Sequence, residues 1–304
     1  MIANNYFFTY HLVYMEIKQV TSRDNWKESS ANSSFLQKWS WGEFKQDLGK
    51  EVLRLQLIDQ EEVLSQIQGV VHQLGLGVKY VYLPRVNISD NFDKYLDYLS
   101  EQNFAFLRVE PQNKRVVTDN FQQKEIDNRQ PRTTLILDVT PAKDDLLDDM
   151  HSKTRYNIRL SYRKDIETRQ KQDLNIFYNL YEETTKRADF TGHPKEYFKK
   201  MLELDNVYQL ISYYEDKPLS SIILIATDNT LTYLHGASTR EHSERMATYQ
   251  SQWEGIQLAK KLGCDFYDFW GIAPIVDEET ENTDKSFGYI WPQNHELSGV
   301  TRFK

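Results

Sequence analysis

Three arginines at helical spacing form the clearest cluster of like charge in the sequence. Arg155, Arg159 and Arg163 recur at i, i+4 and i+8, which places them along one face of a helix. Guanidinium groups bind phosphates through paired hydrogen bonds, so such a stripe could contact a nucleic acid backbone or a diphosphate. Composition by itself favours two simpler interpretations, a solvated helix face and pairing with the acidic residues of 144–149.

Motifs that mark several common enzyme classes are missing from the sequence. There is no glycine-rich phosphate loop and no Gly-x-Ser-x-Gly turn, and His295-Glu296 lacks the second histidine of a zinc-binding helix. The kinase and hydrolase interpretations therefore lose their main support. Residues 72–77 (His-Gln-Leu-Gly-Leu-Gly) faintly resemble the pyrophosphate loop of coenzyme A-dependent acetyltransferases, where amides at a helix start bind an anion, but ordinary turns also contain two glycines.

Candidate groups for proton transfer are two carboxylates at the ends of predicted strands. Asp268 and Asp138 could each accept a proton, although carboxylates at strand ends more often cap a neighbouring loop. The single cysteine, Cys264, excludes an intrachain disulfide and a multi-cysteine zinc cluster, and it is expected to be a small buried hydrophobe. Three tryptophans could stack on a nucleobase or belong to the core, namely Trp39, Trp41 and Trp270.

Charge and composition exclude few ligands but limit the class of protein. Lys and Arg number 37 against 45 Asp and Glu, a net charge of −8, which argues against a protein that coats DNA. Residues 153–171 nevertheless carry seven basic and two acidic side chains. The single cysteine fits a reducing compartment, so the cytoplasm is the expected location. Residues 1–15 are too short and too polar to span a bilayer, and they lack the basic start of a secretory signal.

Alternating strand and helix patterns predict an α/β protein with mixed sheets. Strands are predicted at 52–58, 78–84, 104–110, 133–139, 208–214, 219–227, 230–237 and 266–270, the last turning at Gly271. Helices are predicted at 34–49 with Ser34 as cap, at 90–101, after Pro141, from 153, and at 174–187, 194–204 and 247–262. The length suits two domains. We expect a weakly ordered extension or misplaced start at 1–14, domains at 15–141 and 142–290, and a terminal segment at 291–304.

Six sequence blocks, taken in order, carry a family resemblance. They are 35–45 (Phe-Leu-Gln-x-x-x-Trp-Gly-x-x-Lys), 106–111 (Phe-Leu-Arg-Val-Glu-Pro), 153–160 (Lys-Thr-Arg-Tyr-Asn-Ile-Arg-Leu), 234–260, 267–272 (Tyr-Asp-Phe-Trp-Gly-Ile) and 299–304 (Gly-Val-Thr-Arg-Phe-Lys). Together these blocks resemble the FemABX family of peptidoglycan interpeptide-bridge aminoacyltransferases, over about residues 30–304. No heptad run is visible, so the chain resembles the compact members without a coiled-coil arm.

The resemblance implies a fold, a reaction and a set of partners. It implies two acetyltransferase-like (GNAT-like) domains in tandem, with the terminal segment 291–304 returning to the first domain. The implied reaction moves an amino acid from aminoacyl-tRNA to a side-chain amine of the stem peptide of UDP-MurNAc-pentapeptide or lipid II. It uses no coenzyme A, other cofactor or metal. A cytoplasmic monomer with a peripheral contact to the inner membrane face is the expected state.

The same resemblance assigns roles to individual residues. Lys45, Arg245 and Tyr249 resemble the contacts to the precursor phosphates, whereas a solvated lysine and a core-edge tyrosine are the alternatives for the first and last. Phe303 and Lys304 match a near-terminal Phe-Lys pair that holds the tRNA acceptor end and stabilises charge at the ester carbonyl. Because the family pattern continues beyond this lysine, the chain is expected to be truncated there.

Asp268 is the carboxylate that we place with these catalytic residues, and the arginine stripe at 155, 159 and 163 is the predicted tRNA contact. Two alternatives to the aminoacyltransferase stay open. One is a coenzyme A-dependent N-acyltransferase that uses the turn at 72–77. The other is a degenerate module that binds a muropeptide or tRNA without transfer.

Overall fold

The computed structural model describes residues 15–27, 34–113, 116, 118, 120–286 and 288–304. The predicted extension at 1–14 lies outside these residues. The described residues divide into two compact units, the first formed by those within 1–29 and 36–123 and the second by those within 30–35 and 124–304. Each unit is built around its own sheet.

The first unit contains a five-stranded sheet. Its strands are β1 (Met15–Gln19), β2 (Glu51–Asp59), β3 (Glu62–Gly75), β4 (Val78–Val86) and β5 (Leu107–Pro111). Its helices are α1 (Trp39–Asp47) and α2 (Asp93–Ser100). The strands follow one another in sequence order and pair antiparallel, except that β4 and β5 are parallel, since α2 carries the chain back across the sheet.

Apolar residues of α2 and of the central strands form the core of the first unit. Tyr95, Leu96 and Leu99 lie at i, i+1 and i+4 on the inner side of α2 and pack against the buried leucines, isoleucines and valines of β2, β3 and β4. The Tyr95 hydroxyl accepts a hydrogen bond from the Leu57 amide at 3.1 Å, so its polar end is satisfied inside the core. Each fully buried side chain of this kind contributes about 1.5–3 kcal/mol.

The second unit contains a six-stranded sheet and a small hairpin. Its strands are β6 (Thr133–Asp138), β7 (Glu167–Gln170), β8 (Val207–Tyr214), β9 (Lys217–Thr227), β10 (Thr230–Ser238), β11 (Phe266–Ile272), β12 (Thr283–Ser286) and β13 (Tyr289–Pro292). Its helices are α3 (Lys143–Asp149), α4 (Ser152–Arg163), α5 (Leu174–Ala188), α6 (Lys195–Leu202), α7 (Ala247–Lys261) and α8 (Ser298–Phe303). The strand order is β6-β11-β10-β9-β8-β7, and only β10 and β11 of this sheet pair in parallel.

Helix α7 connects the two parallel strands and forms the centre of the second core. Trp253, Ile256 and Ala259 recur at helical spacing, are buried, and pack with residues of β8 to β11. A methyl group at Gly255 would meet the hydroxyl of Tyr267 at 2.8 Å, which shows how closely α7 approaches β11. The crossover between β10 and β11 is therefore tightly packed, and α8 contacts β11.

The structure corrects the predicted boundaries at several places. Strand β6, predicted at 133–139 within the first domain, pairs with β11 in the second sheet, so the division falls between residues 123 and 124, not at 141. The terminal segment at 291–304, predicted to return to the first domain, groups with the second unit. Helix α1 begins at Trp39, because a 3-10 turn at Phe35–Gln37 replaces the helical turn predicted next to Ser34.

The segment at 72–77 is the end of one strand and a tight turn into the next. β3 runs to Gly75 and β4 begins at Val78, so no helix follows the turn. A pyrophosphate loop of the predicted type needs the amides of a helix N-terminus. The coenzyme A interpretation of this segment is therefore wrong. Among the helices in the described part of the chain, we find none long and apolar enough to cross a lipid bilayer.

Candidate active site

Lys304, which follows α8, is held over β11 by a main-chain contact. Its Nζ donates a hydrogen bond to the Gly271 carbonyl at 2.7 Å and lies 5.4 Å from the centroid of the Tyr233 ring. Burial lowers the pKa of Lys304 from 10.5 to about 8, and the nearby Asp268 carboxylate opposes this shift. The ammonium is thus close to its titration point at neutral pH, in surroundings that solvate it poorly.

A bulge in β11 shapes the surface beneath this lysine. The pairing of β11 with β6 shifts register between Asp268 and Gly271, and Trp270 between them has a positive φ of 61°. The Asp268 carboxylate accepts the Trp270 amide hydrogen at 2.7 Å and is only 8% exposed. Asp268 therefore supports the bulge and places a negative charge near Lys304.

The position of Gly271 in this bulge also leaves no room for a side chain. A Cβ at this position would lie 2.4 Å from Cγ of Pro131, in the segment that enters the second unit. Only a residue without a side chain lets that segment pass so close to the strand. The turn predicted at Gly271 is wrong, because β11 continues through the bulge to Ile272.

Phe303 and Tyr249 are the next residues of this cluster. Their rings meet edge to face with centroids 5.3 Å apart, so the end of α8 rests on the first turn of α7. Tyr249 also packs against the second core. The structure thus places four of the predicted site residues in one unit and close together, namely Phe303, Lys304, Asp268 and Tyr249.

This arrangement suits the stabilisation of a developing negative charge. A cation fixed by a carbonyl and flanked by an aromatic ring keeps little bulk water around it, which strengthens its attraction for an anion. The buried Tyr233 hydroxyl, whose pKa burial raises to about 12, stays protonated at neutral pH. The cluster is therefore a candidate acyl-transfer site with Lys304 as its charged group.

Arg245 lies one helical turn before Tyr249 and makes several contacts of its own. Its Nη1 donates to the Lys164 carbonyl at 2.6 Å, and its guanidinium stacks 3.3 Å from the centroid of the Tyr214 ring. Glu244 lies 4.0 Å from its Nε. Arg245 therefore ties the end of α4 to the sheet, and its predicted role in phosphate binding stays a prediction.

The three arginines of α4 differ in their surroundings. Arg155 donates through Nη1 to three carbonyls at the end of α3, those of Leu147, Asp148 and Met150, at 3.2, 2.7 and 2.7 Å. Its hydrogen bonds go to the main chain and not to the acidic side chains of that helix. Arg159 and Arg163 are exposed, and Arg163 lies 5.6 Å from the centroid of the exposed Tyr156 ring. The surface available to a nucleic acid is thus the second half of the predicted stripe.

Lys45, the predicted phosphate contact of the first unit, lies on α1 beside two aromatic rings. Its Nζ is 4.7 Å from the centroid of Trp41 and 4.8 Å from that of Phe44. Burial, with a smaller effect of the Lys50 charge, lowers the pKa of Lys45 to about 8. A poorly solvated cation of this kind binds an anion readily, so the geometry is compatible with the prediction.

The remaining candidate residues lie where they have a structural role in the fold. Asp138 is exposed, and its carboxylate accepts hydrogen bonds from the amide and hydroxyl of Thr140, which lower its pKa. This is the loop cap considered from the sequence. Trp39, Trp41 and Cys264 are buried. Among the described residues, no group of three or more His, Cys, Asp or Glu side chains could hold a metal ion.

Sequence reasoning missed two contributors to the cluster around Lys304. Tyr233 is one of 19 tyrosines and lies in an ordinary strand pattern, so nothing local distinguishes it. The Gly271 carbonyl could not be foreseen, because the bulge that presents it depends on the pairing with β6. A glycine inside a strand pattern was the one available signal, and it indicates either a turn or a bulge.

Comparison with known proteins identifies the family. The model of the FemAB family matches residues 118–209 and 202–304, more than half of the chain. The chain belongs to the FemAB family. The lipid II:glycine glycyltransferases of two Staphylococcus epidermidis strains are each 22% identical to this FemAB protein over 230 residues, covering 53% of its chain and 55% of theirs. The chain therefore spans about half the length of the curated relatives it matches.

A solved structure shows the fold. The crystal structure of FemX has a TM-score of 0.66 to this FemAB protein at 17% identity, with 82% of this chain and 86% of FemX covered. Every sequence block of the predicted resemblance beyond residue 118 lies inside the matched region. The predicted family resemblance and the predicted α/β fold with two mixed sheets are confirmed.

Proposed function

We propose that this protein transfers an amino acid from aminoacyl-tRNA to a side-chain amine of the stem peptide of a peptidoglycan precursor. Membership of the FemAB family and the name of the staphylococcal relatives support the reaction class and the precursor. The observation that carries the proposal is the poorly solvated ammonium of Lys304, fixed by the Gly271 carbonyl beside Asp268.

The proposed reaction forms an amide at the expense of an ester. The neutral amine of the acceptor attacks the ester carbonyl, a carbon–nitrogen bond forms, and the carbonyl oxygen becomes an oxyanion. The intermediate then expels the ribose oxygen of the tRNA, which takes up the proton lost by the amine. Because the ester is already activated, the reaction needs positioning and charge stabilisation more than a strong nucleophile on the protein.

Within this mechanism, Lys304 stabilises the oxyanion and Asp268 positions the lysine. The Lys304 ammonium is fixed before the charge develops, so no reorganisation accompanies the reaction. Phe303 and Tyr249 pack the end of α8 onto α7 and thereby hold Lys304 in place. Lys45 and Arg245 are proposed to bind the precursor phosphates, and Arg159 and Arg163 the tRNA.

The proposal extends to partners and location. UDP-MurNAc-pentapeptide and lipid II are both candidate acceptors, and the protein is proposed to act as a monomer in the cytoplasm, in peripheral contact with the membrane. The ester supplies the driving force, so the reaction as written has no step for coenzyme A, a metal or another cofactor.

Reconstitution tests this proposal directly. The full chain is incubated with tRNA charged with one labelled amino acid at a time, glycine first, and with either UDP-linked pentapeptide or micellar lipid II. Mass spectrometry should detect an acceptor heavier by one amino-acid residue at the stem side-chain amine. If no charged tRNA gives this product although the acceptor binds, the protein is a binding module and the proposal is wrong.

A matched pair of lysine variants tests the site. K304M should lower the transfer rate about 100-fold, as the loss of one oxyanion-stabilising group does in other acyl transfers. K285M is the control, since Lys285 on β12 is exposed and paired with Glu279 at 2.7 Å. Equal rates for the two variants would remove Lys304 from the mechanism.

A further inference from the structure

The turn between β3 and β4 carries apolar side chains into the solvent. Leu76 is fully exposed at 106%, and Leu74 and Val78 on either side of the turn are 58% and 41% exposed. Leu76 has a φ of +49° and lies between Gly75 and Gly77, both also in the positive-φ region, which fixes a tight turn with the leucine at its tip. Leu74, Leu76 and Val78 together form an exposed apolar patch, and such patches mark interaction sites.

The hairpin extends beyond its neighbour in the sheet and has a firm base. β2 begins at Glu51, opposite Val71, so residues 72–77 run past the start of β2. At the base, the rings of His72, Tyr80 and Phe106 stack in succession, with centroids 4.9 and 4.7 Å apart. Phe106 is itself partly exposed and continues the apolar surface towards the sheet. The tip is thus an apolar projection on a base of stacked rings.

The charges around this hairpin favour an anionic partner surface. Residues 63–89 contain no Asp or Glu, in a chain whose net charge is −8. The carboxylate of Glu51 at the hairpin base is paired with Lys79 at 2.9 Å, and the neighbouring Lys50 is exposed. An apolar tip above a cationic base matches the surface of a bilayer that contains anionic lipids.

The hairpin base is also close to the proposed phosphate contact of the first unit. The Lys50 amide donates to the Lys45 carbonyl at 3.0 Å, and Lys50 precedes Glu51 on β2. This turn therefore links Lys45, near the end of α1, to the strand that flanks the hairpin base. The phosphates of a lipid-linked precursor lie at the membrane interface, where they attract cationic side chains of a bound protein.

We propose that the hairpin tip formed by Leu74, Leu76 and Val78 inserts into the surface of an anionic lipid bilayer. This inference rests on the proposed function, because it places the lipid-linked precursor as the acceptor. A lipid surface is the occupant of the tip. A second copy of the chain is the competing occupant that the test must separate.

Vesicle flotation tests the inference without any precursor or tRNA. The probes are vesicles of phosphatidylcholine with one quarter phosphatidylglycerol, and vesicles of phosphatidylcholine alone. The full chain should float with the anionic vesicles, and L74S/L76S should lower the partition coefficient at least tenfold. L64S is the matched control, because Leu64 is an exposed leucine at the other end of β3 and should leave partition within twofold of wild type.

The outcomes distinguish this inference from the proposed function. Transfer to soluble UDP-linked pentapeptide should be unchanged in L74S/L76S, while transfer to lipid II in vesicles should fall with the partition coefficient. Membrane insertion would be overturned if the wild type did not float, or if L64S lost as much vesicle partition as L74S/L76S. It would also be overturned if the wild type formed a dimer in solution that the L74S/L76S substitutions dissociate. Flotation that depends on the tip without any transfer would support insertion and overturn the proposed function.

Discussion

Lys304 combines two properties that oppose each other in water. It is a cation, yet burial lowers its pKa to about 8, so it keeps its charge at neutral pH only at an energetic cost that Asp268 partly offsets. A charge held in such surroundings interacts strongly with an oxyanion, because no water shell must be removed when the oxyanion forms. The ability of Lys304 to stabilise an oxyanion therefore depends on its poorly solvated surroundings as well as on its charge.

The pH dependence of transfer should report this lysine. An alkylamine acceptor with a pKa of about 10.4 makes the rate rise with pH, because only the neutral amine attacks. Loss of the Lys304 charge above about pH 8 should cancel that rise, so the wild-type rate levels off there. In K304R the side chain stays charged, and the rate should continue to rise towards pH 10.

The measurement is a single-turnover transfer rate between pH 6.5 and 10, with hydrolysis of the charged tRNA followed in parallel and subtracted. A plateau near pH 8 that persists unchanged in K304R would assign the titration to another group.

At the scale of elements, α4 is fastened at both ends by arginines from different parts of the chain. Arg155 closes the carboxyl end of α3, and Arg245 closes the carboxyl end of α4 through the Lys164 carbonyl. Unpaired carbonyls at helix ends need such partners, and cations also favour the negative end of the helix dipole. The stripe read from the sequence therefore contains one structural arginine and two exposed ones.

Stability and tRNA binding should separate these arginines. R155M should lower the free energy of unfolding by about 1–2 kcal/mol, because three carbonyls lose a charged donor. R159M, one turn along the same helix, should stay within about 0.5 kcal/mol of wild type. Urea unfolding measures both.

For tRNA affinity, the exposed arginines should matter more than Arg155, the reverse of the order expected for stability. R159M/R163M should weaken binding and reduce its dependence on salt concentration, whereas R155M should affect binding only under conditions where it unfolds the protein. A binding curve that does not respond to salt would exclude this face of α4 as the tRNA contact.

Helices and strands with a strong local pattern lie close to their predicted positions, whereas elements without such a pattern were missed. Helix α7, predicted at 247–262, spans Ala247–Lys261, since its buried residues recur at helical spacing and Gly263 follows. β3 was missed because Gln66 and Gln68 interrupt its apolar pattern. Gln68 is nevertheless buried, because its side chain bonds with Arg54 and with the Leu36 and Lys38 carbonyls. Only the tertiary structure supplies those partners.

The candidate site shows the same limit. The family pattern pointed to Phe303 and Lys304, and the structure places both beside Asp268 and Tyr249. It could not point to Tyr233, whose contact with Lys304 joins a strand and a helix end far apart in sequence. The family pattern also did not indicate that Arg155 donates hydrogen bonds to main-chain carbonyls within the protein.

At the scale of the whole molecule, each unit contains a lysine whose charge is poorly solvated. The pKa of Lys45 in the first unit and that of Lys304 in the second are both lowered from 10.5 to about 8 by burial. Between about pH 8 and 10.5 the folded protein therefore binds fewer protons at these sites than the unfolded chain. The free energy of unfolding should then rise with pH through this window, by up to about 1 kcal/mol per pH unit for each lysine.

Comparison with K45M isolates this effect from the tyrosines, whose raised pKa values act in the opposite direction above pH 10. The stability of wild type relative to K45M should be constant below pH 8 and should increase from pH 8 to 10. K285M serves as the exposed-lysine control and should follow wild type. A difference between wild type and K45M that does not change with pH would show that Lys45 is well solvated.

The bulge at Gly271 also constrains how sequences of this kind can diverge. Its carbonyl binds Lys304, and its bare Cα lies where the incoming chain passes at Pro131. A side chain at 271 cannot be accommodated by adjusting the lysine, because the clash is with another segment. Substitutions at 271 and at 131 should therefore occur together in related sequences, and relatives that lose the glycine should place the segment before β6 differently.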